Sequence, residues 1–114
     1  MSEAKSRSAP NLSSRSKAAR ARAALRWYVY LVLCRNGAIY TGIALDVLVR
    51  YAQHVAGVGA RYTRANPPRQ LLARFACRDQ SEAARMESAI KRLSATVKRS
   101  LAGKSRAAVQ KLLR

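Results

Sequence analysis

Two tyrosine-containing triplets stand close together in the chain. They are Tyr28-Val29-Tyr30 and Tyr40-Thr41-Gly42, and an Asn36-Gly37 turn lies between them. Tyrosine hydroxyls can pack in a core, form hydrogen bonds or handle a proton beside a phosphate. Since a short turn brings two strands side by side, these phenols are candidates for a shared site.

The loop length decides whether the two tyrosines share a face of the sheet. A strict two-residue turn would put Tyr30 and Tyr40 on opposite faces, because side chains alternate along a strand. A three-residue loop, Arg35-Asn36-Gly37 with a left-handed Gly37, pairs Tyr30 with Gly42 instead. The tyrosines then become diagonal neighbours about 7–8 Å apart at the backbone. We predict this bulged register, with Gly42 leaving space for a ligand beside Tyr30; the alternative is that the tyrosines only pack.

Acidic residues are scarce and can be interpreted one by one. The chain has five acids against 23 Lys and Arg, a formal net charge of +18. Glu87 lies in the interior of a predicted helix, where it could pair with Lys91 one turn later. It could also be a single carboxylate ligand for Mg²⁺, which often takes one or two carboxylates plus water and phosphate. The other acids lie in the N-terminal arm or at predicted helix starts: Glu3, Asp46, Asp79 and Glu82.

Arg50 and His54 stand one turn apart on the first predicted helix. Their spacing puts them on one face, away from a predicted apolar stripe that runs from Leu48 to Val55. Arg50 could hold a phosphate oxygen bidentately while His54 orients or relays a proton. The alternative is a solvated arginine beside a structural histidine.

The charge balance favours a polyanionic partner over a small neutral substrate. Nucleic acid is the first expectation, and an anionic membrane surface is the second. No apolar run reaches a membrane span of about 18 residues, and the tails lack bulky aromatics, so a soluble, cytoplasmic protein is expected. Cys34 and Cys77 lie in apolar runs and are expected to be buried, reduced thiols without a disulfide; a metal site would need more ligands at closer spacing.

Composition and periodicity divide the chain into three parts. Residues 1–25 are rich in Ser, Ala, Arg and Lys and predict a disordered basic arm, with a transit peptide as the alternative. Residues 26–102 predict an α+β domain of one antiparallel sheet and its helices, in the order β-β-α-β-α-α. Residues 103–114 predict a basic amphipathic tail. The predicted strands are 27–34, 38–43 and 70–77, and the helices are 46–56, 79–93 and 94–103, with a loop over 57–68.

Together, these residues resemble the GIY-YIG nuclease superfamily, specifically its small stand-alone single-domain members. The resemblance covers about residues 26–102 and rests on five elements in order. They are Tyr28-Val29-Tyr30 at the GIY position, Tyr40-Thr41-Gly42 at the YIG position, Arg50 with His54, Gly59-Ala60-Arg61-Tyr62-Thr63-Arg64, and Glu87 within Arg85-Met86-Glu87-Ser88-Ala89-Ile90-Lys91-Arg92-Leu93.

The resemblance implies a three-stranded antiparallel sheet flanked by helices and metal-dependent hydrolysis of phosphodiester bonds in DNA, with RNA as the alternative substrate. One divalent cation, Mg²⁺ or Mn²⁺, would be held by Glu87. Tyr40 would be the general base for the attacking water, and Tyr30 its hydrogen-bonding partner. Arg50 would stabilise the charge of the pentavalent phosphate.

The resemblance also assigns supporting roles. His54 and Tyr62 would support the reacting groups, and Arg61 and Arg64 would contact phosphates. Lys91, near the metal position, is counted with these nucleic-acid contacts.

The chain departs from the family pattern in three places. Tyr28 replaces the first Gly of GIY and Thr41 the Ile of YIG, both beside the reacting positions. Many family nucleases carry an Asn after the metal-binding Glu, whereas the asparagines here are Asn11, Asn36 and Asn66. From the resemblance as a whole, we predict a DNA endonuclease acting in repair or processing of branched or damaged DNA. The alternative is a non-catalytic nucleic-acid-binding module that keeps the fold.

Overall fold

A computed structural model describes residues 27–114. The predicted arm, residues 1–25, lies outside the described residues. The described part has three strands, β1 (Trp27–Cys34), β2 (Ile39–Ala44) and β3 (Pro68–Cys77). Five helices accompany them: α1 (Val47–Val55), α2 (Arg61–Ala65), α3 (Gln80–Lys91), α4 (Ala95–Ser100) and α5 (Arg106–Leu112). This is the predicted α+β architecture, with two more short helical elements at α2 and α5.

The three strands form an antiparallel sheet in the order β2-β1-β3. The β1–β2 hairpin has the predicted bulged register, since Val32 lies opposite Tyr40 and Tyr30 lies opposite Gly42. The loop closes through a 2.9 Å bond from the Gly37 amide to the Cys34 carbonyl. Gly37 has a φ of +88°, a conformation that glycine adopts without strain. The prediction of a left-handed glycine in a three-residue loop is confirmed.

Each face of the sheet carries its own apolar cluster. One cluster joins the sheet to α3 and the C-terminal helices. The other lies on the opposite face, where it contacts α1 and includes the tyrosines. Cys77 belongs to the first cluster and Cys34 to the second, so the two buried thiols lie on opposite faces. Burial raises the pKa of both thiols, which favours the protonated form.

Helix α1 contacts the sheet through a different face from the predicted one. The expected apolar stripe is exposed, with Leu48 62% and Val55 59% accessible. The buried residues of α1 are Val47 and His54, and Tyr51 packs beside them. The predicted stripe of Leu48, Tyr51, Ala52 and Val55 was therefore right at Tyr51 and wrong at its aliphatic members. The reason is that His54 satisfies both ring nitrogens in the sheet-facing layer, against Tyr30 and Thr63, so the aliphatic residues are turned towards solvent.

Two boundaries in the middle of the chain also differ from expectation. The segment predicted as a loop over residues 57–68 contains the short helix α2. Strand β3 begins at Pro68, two residues before the predicted start at residue 70. Proline is tolerated there because β3 is an edge strand and Pro68 is its first residue.

Side-chain caps set the starts of the longer helices. Asp46 accepts a 3.1 Å bond from the amide of Val49, and Asp79 accepts a 2.8 Å bond from that of Glu82. Each such cap typically contributes about 1 kcal/mol. The segment predicted as a tail, residues 103–114, forms α5 and buries Val109 completely in the core. None of the helices between residues 27 and 114 is long and apolar enough to cross a membrane.

Candidate active site

Tyr30 and Tyr40 lie on one face of the sheet, as the bulged register requires. Their ring centroids are 6.3 Å apart. A Cβ on Gly42 would lie 2.7 Å from the Tyr30 hydroxyl and 3.0 Å from the Tyr40 ring. The space above Gly42 is thus filled by Tyr30 itself, and the expectation that a ligand would occupy it was wrong. The missing side chain instead lets the two tyrosines converge.

His54 links this pair to the following loop. The Tyr30 hydroxyl lies 2.7 Å from Nε2 of His54, in a buried contact. Nδ1 of the same ring lies 2.6 Å from the hydroxyl of Thr63. The edge of the imidazole also meets Tyr40, with centroids 5.1 Å apart and planes at 60°. Strand β1, strand β2 and helix α1 therefore bring Tyr30, Tyr40 and His54 together as predicted.

The electrostatics of this cluster favour neutral rings. Burial, followed by the nearby Tyr40, raises the pKa of Tyr30 to about 12, although Arg50 opposes the change and Glu87 adds to it. Burial and the positive charge of Arg50 lower the pKa of His54. A neutral imidazole has one N–H and one acceptor nitrogen, so the direction of its hydrogen bond with Tyr30 depends on which ring nitrogen carries the hydrogen.

This preference has a measurable consequence for stability. Below the ordinary histidine pKa of 6.5, the histidine of the unfolded chain binds a proton, whereas His54 of the folded protein stays neutral. The free energy of unfolding therefore decreases as the pH decreases. The loss begins near pH 6.5 and continues as the pH falls through the lowered pKa of His54. Arg50, Tyr30 and Tyr40 face the imidazole, and the raised pKa of Tyr30, about 12, keeps its hydroxyl neutral throughout this window.

Thermal melts between about pH 8 and about pH 5 check this prediction. The melting temperature of the wild type should decrease towards acid, and that of His54→Gln should change much less. Glu82 does not confound the window, because its pKa is lowered from 4.5 by hydrogen bonding to the Arg78 amide. A flat profile for the wild type, or the same slope in both proteins, would contradict a buried neutral His54.

Arg50 lies one turn before His54 and is held by its own helix. Its Nη1 donates a 2.9 Å hydrogen bond to Oε1 of Gln53. The guanidinium is partly buried and still has donors that this bond does not use. Arg50 can therefore present a positive charge and a planar set of N–H groups beside Tyr30.

Glu87 lies on α3, with its side chain 22% exposed. Lys91 lies 3.4 Å away, so the predicted pair one turn apart is present, with Lys91 largely in solvent. Such exposed pairs are weak, typically about 0.3–0.5 kcal/mol. A carboxylate held this loosely fits a hard cation that takes one protein ligand and completes its shell with water and phosphate. Within residues 27–114 no cluster of three or more His, Cys, Asp or Glu side chains could hold a metal.

Helix α2 places Tyr62 at the outer edge of the site. Its ring stacks on Tyr40 with centroids 6.3 Å apart and planes at 15°. Asn36 holds it from the hairpin loop, donating to the Tyr62 hydroxyl at 3.2 Å and to Asn66 Oδ1 at 2.9 Å. Arg61 and Arg64 are exposed on the same short helix. Tyr62 therefore borders the tyrosine cluster, and Arg61 and Arg64 lie on either side of it along α2, exposed to solvent.

Three polar residues of this neighbourhood were not predicted as part of the site. They are Thr63 against His54, Gln53 against Arg50, and Asn36 against Tyr62. The signal for Gln53 was its spacing, three residues after Arg50 on a predicted helix. Thr63 and Asn36 act across the fold, through contacts that need the tertiary structure.

Comparison with known proteins gives a family for this arrangement. A model of the GIY-YIG catalytic domain matches residues 26–100. A UPF0213 protein of Xanthomonas axonopodis pv. citri is 54% identical over 67 residues, which cover 59% of this chain and 66% of that one. A UPF0213 protein of Cupriavidus pinatubonensis is 49% identical over 73 residues, covering 64% of this chain and 81% of that one.

A solved structure is also similar to this chain. The solution NMR structure of a UPF0213 protein from Bacillus halodurans is 39% identical and covers 68% of this chain and 87% of that chain, with a TM-score of 0.43. The names of these relatives carry a family designation and state no activity.

Proposed function

The chain belongs to the GIY-YIG catalytic domain family, and from that premise we propose that it is a metal-dependent endonuclease that hydrolyses phosphodiester bonds in DNA. The family implies a nuclease and a nucleic-acid substrate. The observation that supports catalysis most is the convergence of Tyr30, Tyr40 and His54 from three separate elements. The charges of Arg50 and Glu87 are near enough to change the pKa of Tyr30. A role in repair or processing of branched or damaged DNA is part of the same proposal.

In this proposal Tyr40 is the general base for the attacking water. Its hydroxyl makes no hydrogen bond within residues 27–114, whereas that of Tyr30 is hydrogen-bonded to Nε2 of His54. A neutral phenol that takes a proton from water must pass its own proton on. No hydrogen bond joins the two tyrosine hydroxyls within residues 27–114, where the Tyr30 hydroxyl is instead bonded to His54. As the base, Tyr40 would pass its own proton to a solvent water while it takes the proton of the attacking water, so it ends the step neutral.

Arg50 and Glu87 supply the charges that phosphodiester chemistry needs. Arg50 would hold the non-bridging oxygens of the phosphate as negative charge develops on them. Glu87 would hold the divalent cation, Mg²⁺ or Mn²⁺, with its carboxylate. When bound, such a cation acts as a Lewis acid on the phosphoryl oxygen.

Arg61 and Arg64 should contribute sequence-independent affinity for the phosphate backbone. Each phosphate contact removed lowers the slope of log K against log salt by about 0.9 for duplex DNA. The double variant Arg61→Gln/Arg64→Gln is therefore expected to reduce the slope by about two units. Titrations of labelled duplex at several salt concentrations measure this.

Arg85 and Arg92 provide the matched control. They line a groove along α3, and both are exposed. The variant Arg85→Gln/Arg92→Gln removes the same charge and should change the slope less than the site variant does. Equal changes would mean that binding depends on total charge alone, and would contradict a contact at α2.

A cleavage assay tests the proposed function. The wild-type chain is incubated with branched and linear DNA and with matched RNA, in Mg²⁺ or Mn²⁺ and then in EDTA. The proposal expects DNA products with metal and none with EDTA. Binding to DNA without cleavage under either metal would instead favour the non-catalytic binding module. Cleavage of RNA without cleavage of DNA would contradict DNA as the proposed substrate.

A further inference from the structure

The buried hydroxyl of Thr63 determines which nitrogen of His54 carries the proton. Thr63 donates its hydroxyl hydrogen to the carbonyl oxygen of Ala60, at 3.0 Å. A hydroxyl has one hydrogen, and a carbonyl oxygen can only accept. At its second contact, 2.6 Å from Nδ1 of His54, Thr63 must therefore accept. Nδ1 consequently carries the hydrogen of the neutral ring.

The other side of the imidazole follows from this assignment. With Nδ1 protonated, Nε2 has a lone pair and accepts the hydrogen of Tyr30, 2.7 Å away. Tyr30, His54 and Thr63 are each 1% exposed, so water does not compete for these bonds. The backbone closes tightly around the ring, since a Cβ on Gly59 would lie 2.4 Å from Nδ1.

We propose that Thr63 is a positioning residue, which fixes His54 in the Nδ1–H tautomer and so makes Nε2 the proton acceptor for Tyr30. In the other tautomer, Nε2–H would point at the phenol, and Tyr30 would have to turn its hydrogen towards Tyr40 or the substrate. Thr63 touches neither substrate nor reacting atoms in this account and acts only through His54. The structural part of the inference concerns the free protein; its kinetic consequence rests on the proposed nuclease function.

The tautomer can be read directly, because the chain contains one histidine. Two-dimensional ¹H–¹⁵N long-range correlation spectra of the neutral protein give one set of imidazole signals, which needs no assignment among several rings. We expect Nδ1 at the chemical shift of a protonated ring nitrogen and Nε2 at that of an unprotonated one. Free histidine prefers the opposite form. An Nε2–H tautomer in the wild type would overturn the proposal, whether or not the protein cleaves DNA.

Two substitutions of Thr63 distinguish a role in positioning His54 from a role in packing alone. Thr63→Val keeps the shape and loses the acceptor, so the Nε2–H form should gain population. Thr63→Ser keeps the hydroxyl and should retain the wild-type tautomer. If the chain is a nuclease, Thr63→Val should lower kcat about tenfold with KM unchanged, a part of the 10²–10⁴ that positioned proton transfer contributes. Serine should restore the rate. An unchanged tautomer in Thr63→Val would overturn the assignment, and this readout is independent of turnover.

Discussion

Replacing Tyr40 with phenylalanine is expected to lower the rate of DNA cleavage by about 10²–10⁴-fold, the usual contribution of a positioned general base. The substitution removes the hydroxyl and keeps the ring. The contacts with Tyr62 and His54, at centroid distances of 6.3 and 5.1 Å, should therefore persist. DNA affinity and thermal stability are expected to stay close to those of the wild type. Single-turnover cleavage and a binding titration on the same DNA measure the two effects separately.

Tyr28 offers a matched control for this substitution. It lies two residues before Tyr30 on β1, and its ring stacks under the guanidinium of Arg74 at 5.8 Å. Tyr28→Phe also deletes one phenolic hydroxyl from the sheet, and we expect it to cleave at the wild-type rate. Cleavage by Tyr40→Phe at the wild-type rate would remove Tyr40 from the base role. An equal loss in both variants would point to a general effect on the sheet.

Glu87→Gln is the second substitution with a large expected effect. Glutamine has nearly the same shape and loses the negative charge that a divalent cation requires. A metal ion can supply several kcal/mol of transition-state stabilisation, so cleavage should fall by about 10²–10³-fold. Binding of Mn²⁺, followed by its effect on water proton relaxation, should weaken in parallel. The fold should tolerate the change, since the carboxylate makes a single exposed pair with Lys91 among the described residues.

Glu82→Gln, on the same helix, is the control for charge removal. Glu82 accepts a 2.8 Å bond from the Arg78 amide and a 2.9 Å bond from Arg106, which ties α3 to α5. Its loss is expected to lower the melting temperature and to leave Mn²⁺ binding unchanged. Retained Mn²⁺ binding in Glu87→Gln, or an equal loss in Glu82→Gln, would contradict a metal site at Glu87.

The hairpin could be predicted from sequence because its register depends on local geometry. The Asn36-Gly37 pair restricts the turn, and each possible loop length gives one pairing of strands. Those pairings are testable against the spacing of the tyrosines. The structure confirms Tyr30 opposite Gly42. The N-cap at Asp46 was predictable for the same reason, since a cap involves residues a few positions apart.

The orientation of α1 could not be predicted from apolar spacing. The helix buries His54 and exposes Leu48 and Val55. Periodicity counts apolar residues and gives no weight to a histidine whose two nitrogens find partners in the core. Those partners come from β1 and from the segment after the helix, so the energy that selects this face is set by tertiary contacts. Arg50 and His54 lie on one face of α1, as predicted. His54 on that face is buried against the sheet, whereas Leu48 and Val55, which were predicted to pack there, are exposed.

The role of Thr63 was invisible for a related reason. Its residue type has no special weight in the sequence, and the segment around it was expected to be a loop. Helix α2 places its hydroxyl between the Ala60 carbonyl and the His54 ring. In such a polar network, each buried polar atom needs a hydrogen-bond partner from another segment of the chain. Those partners can be named only once the fold is known.

Hydrolysis of DNA in ¹⁸O-labelled water tests the central proposal most directly. The wild-type chain is incubated with a DNA substrate and Mg²⁺ under single-turnover conditions, and the new termini are analysed by mass spectrometry. We expect metal-dependent cleavage with one solvent oxygen in the newly formed terminal phosphate, the result of direct attack by water. A covalent protein–DNA product, or a chain that binds the DNA and never cleaves it with Mg²⁺ or Mn²⁺, would contradict it.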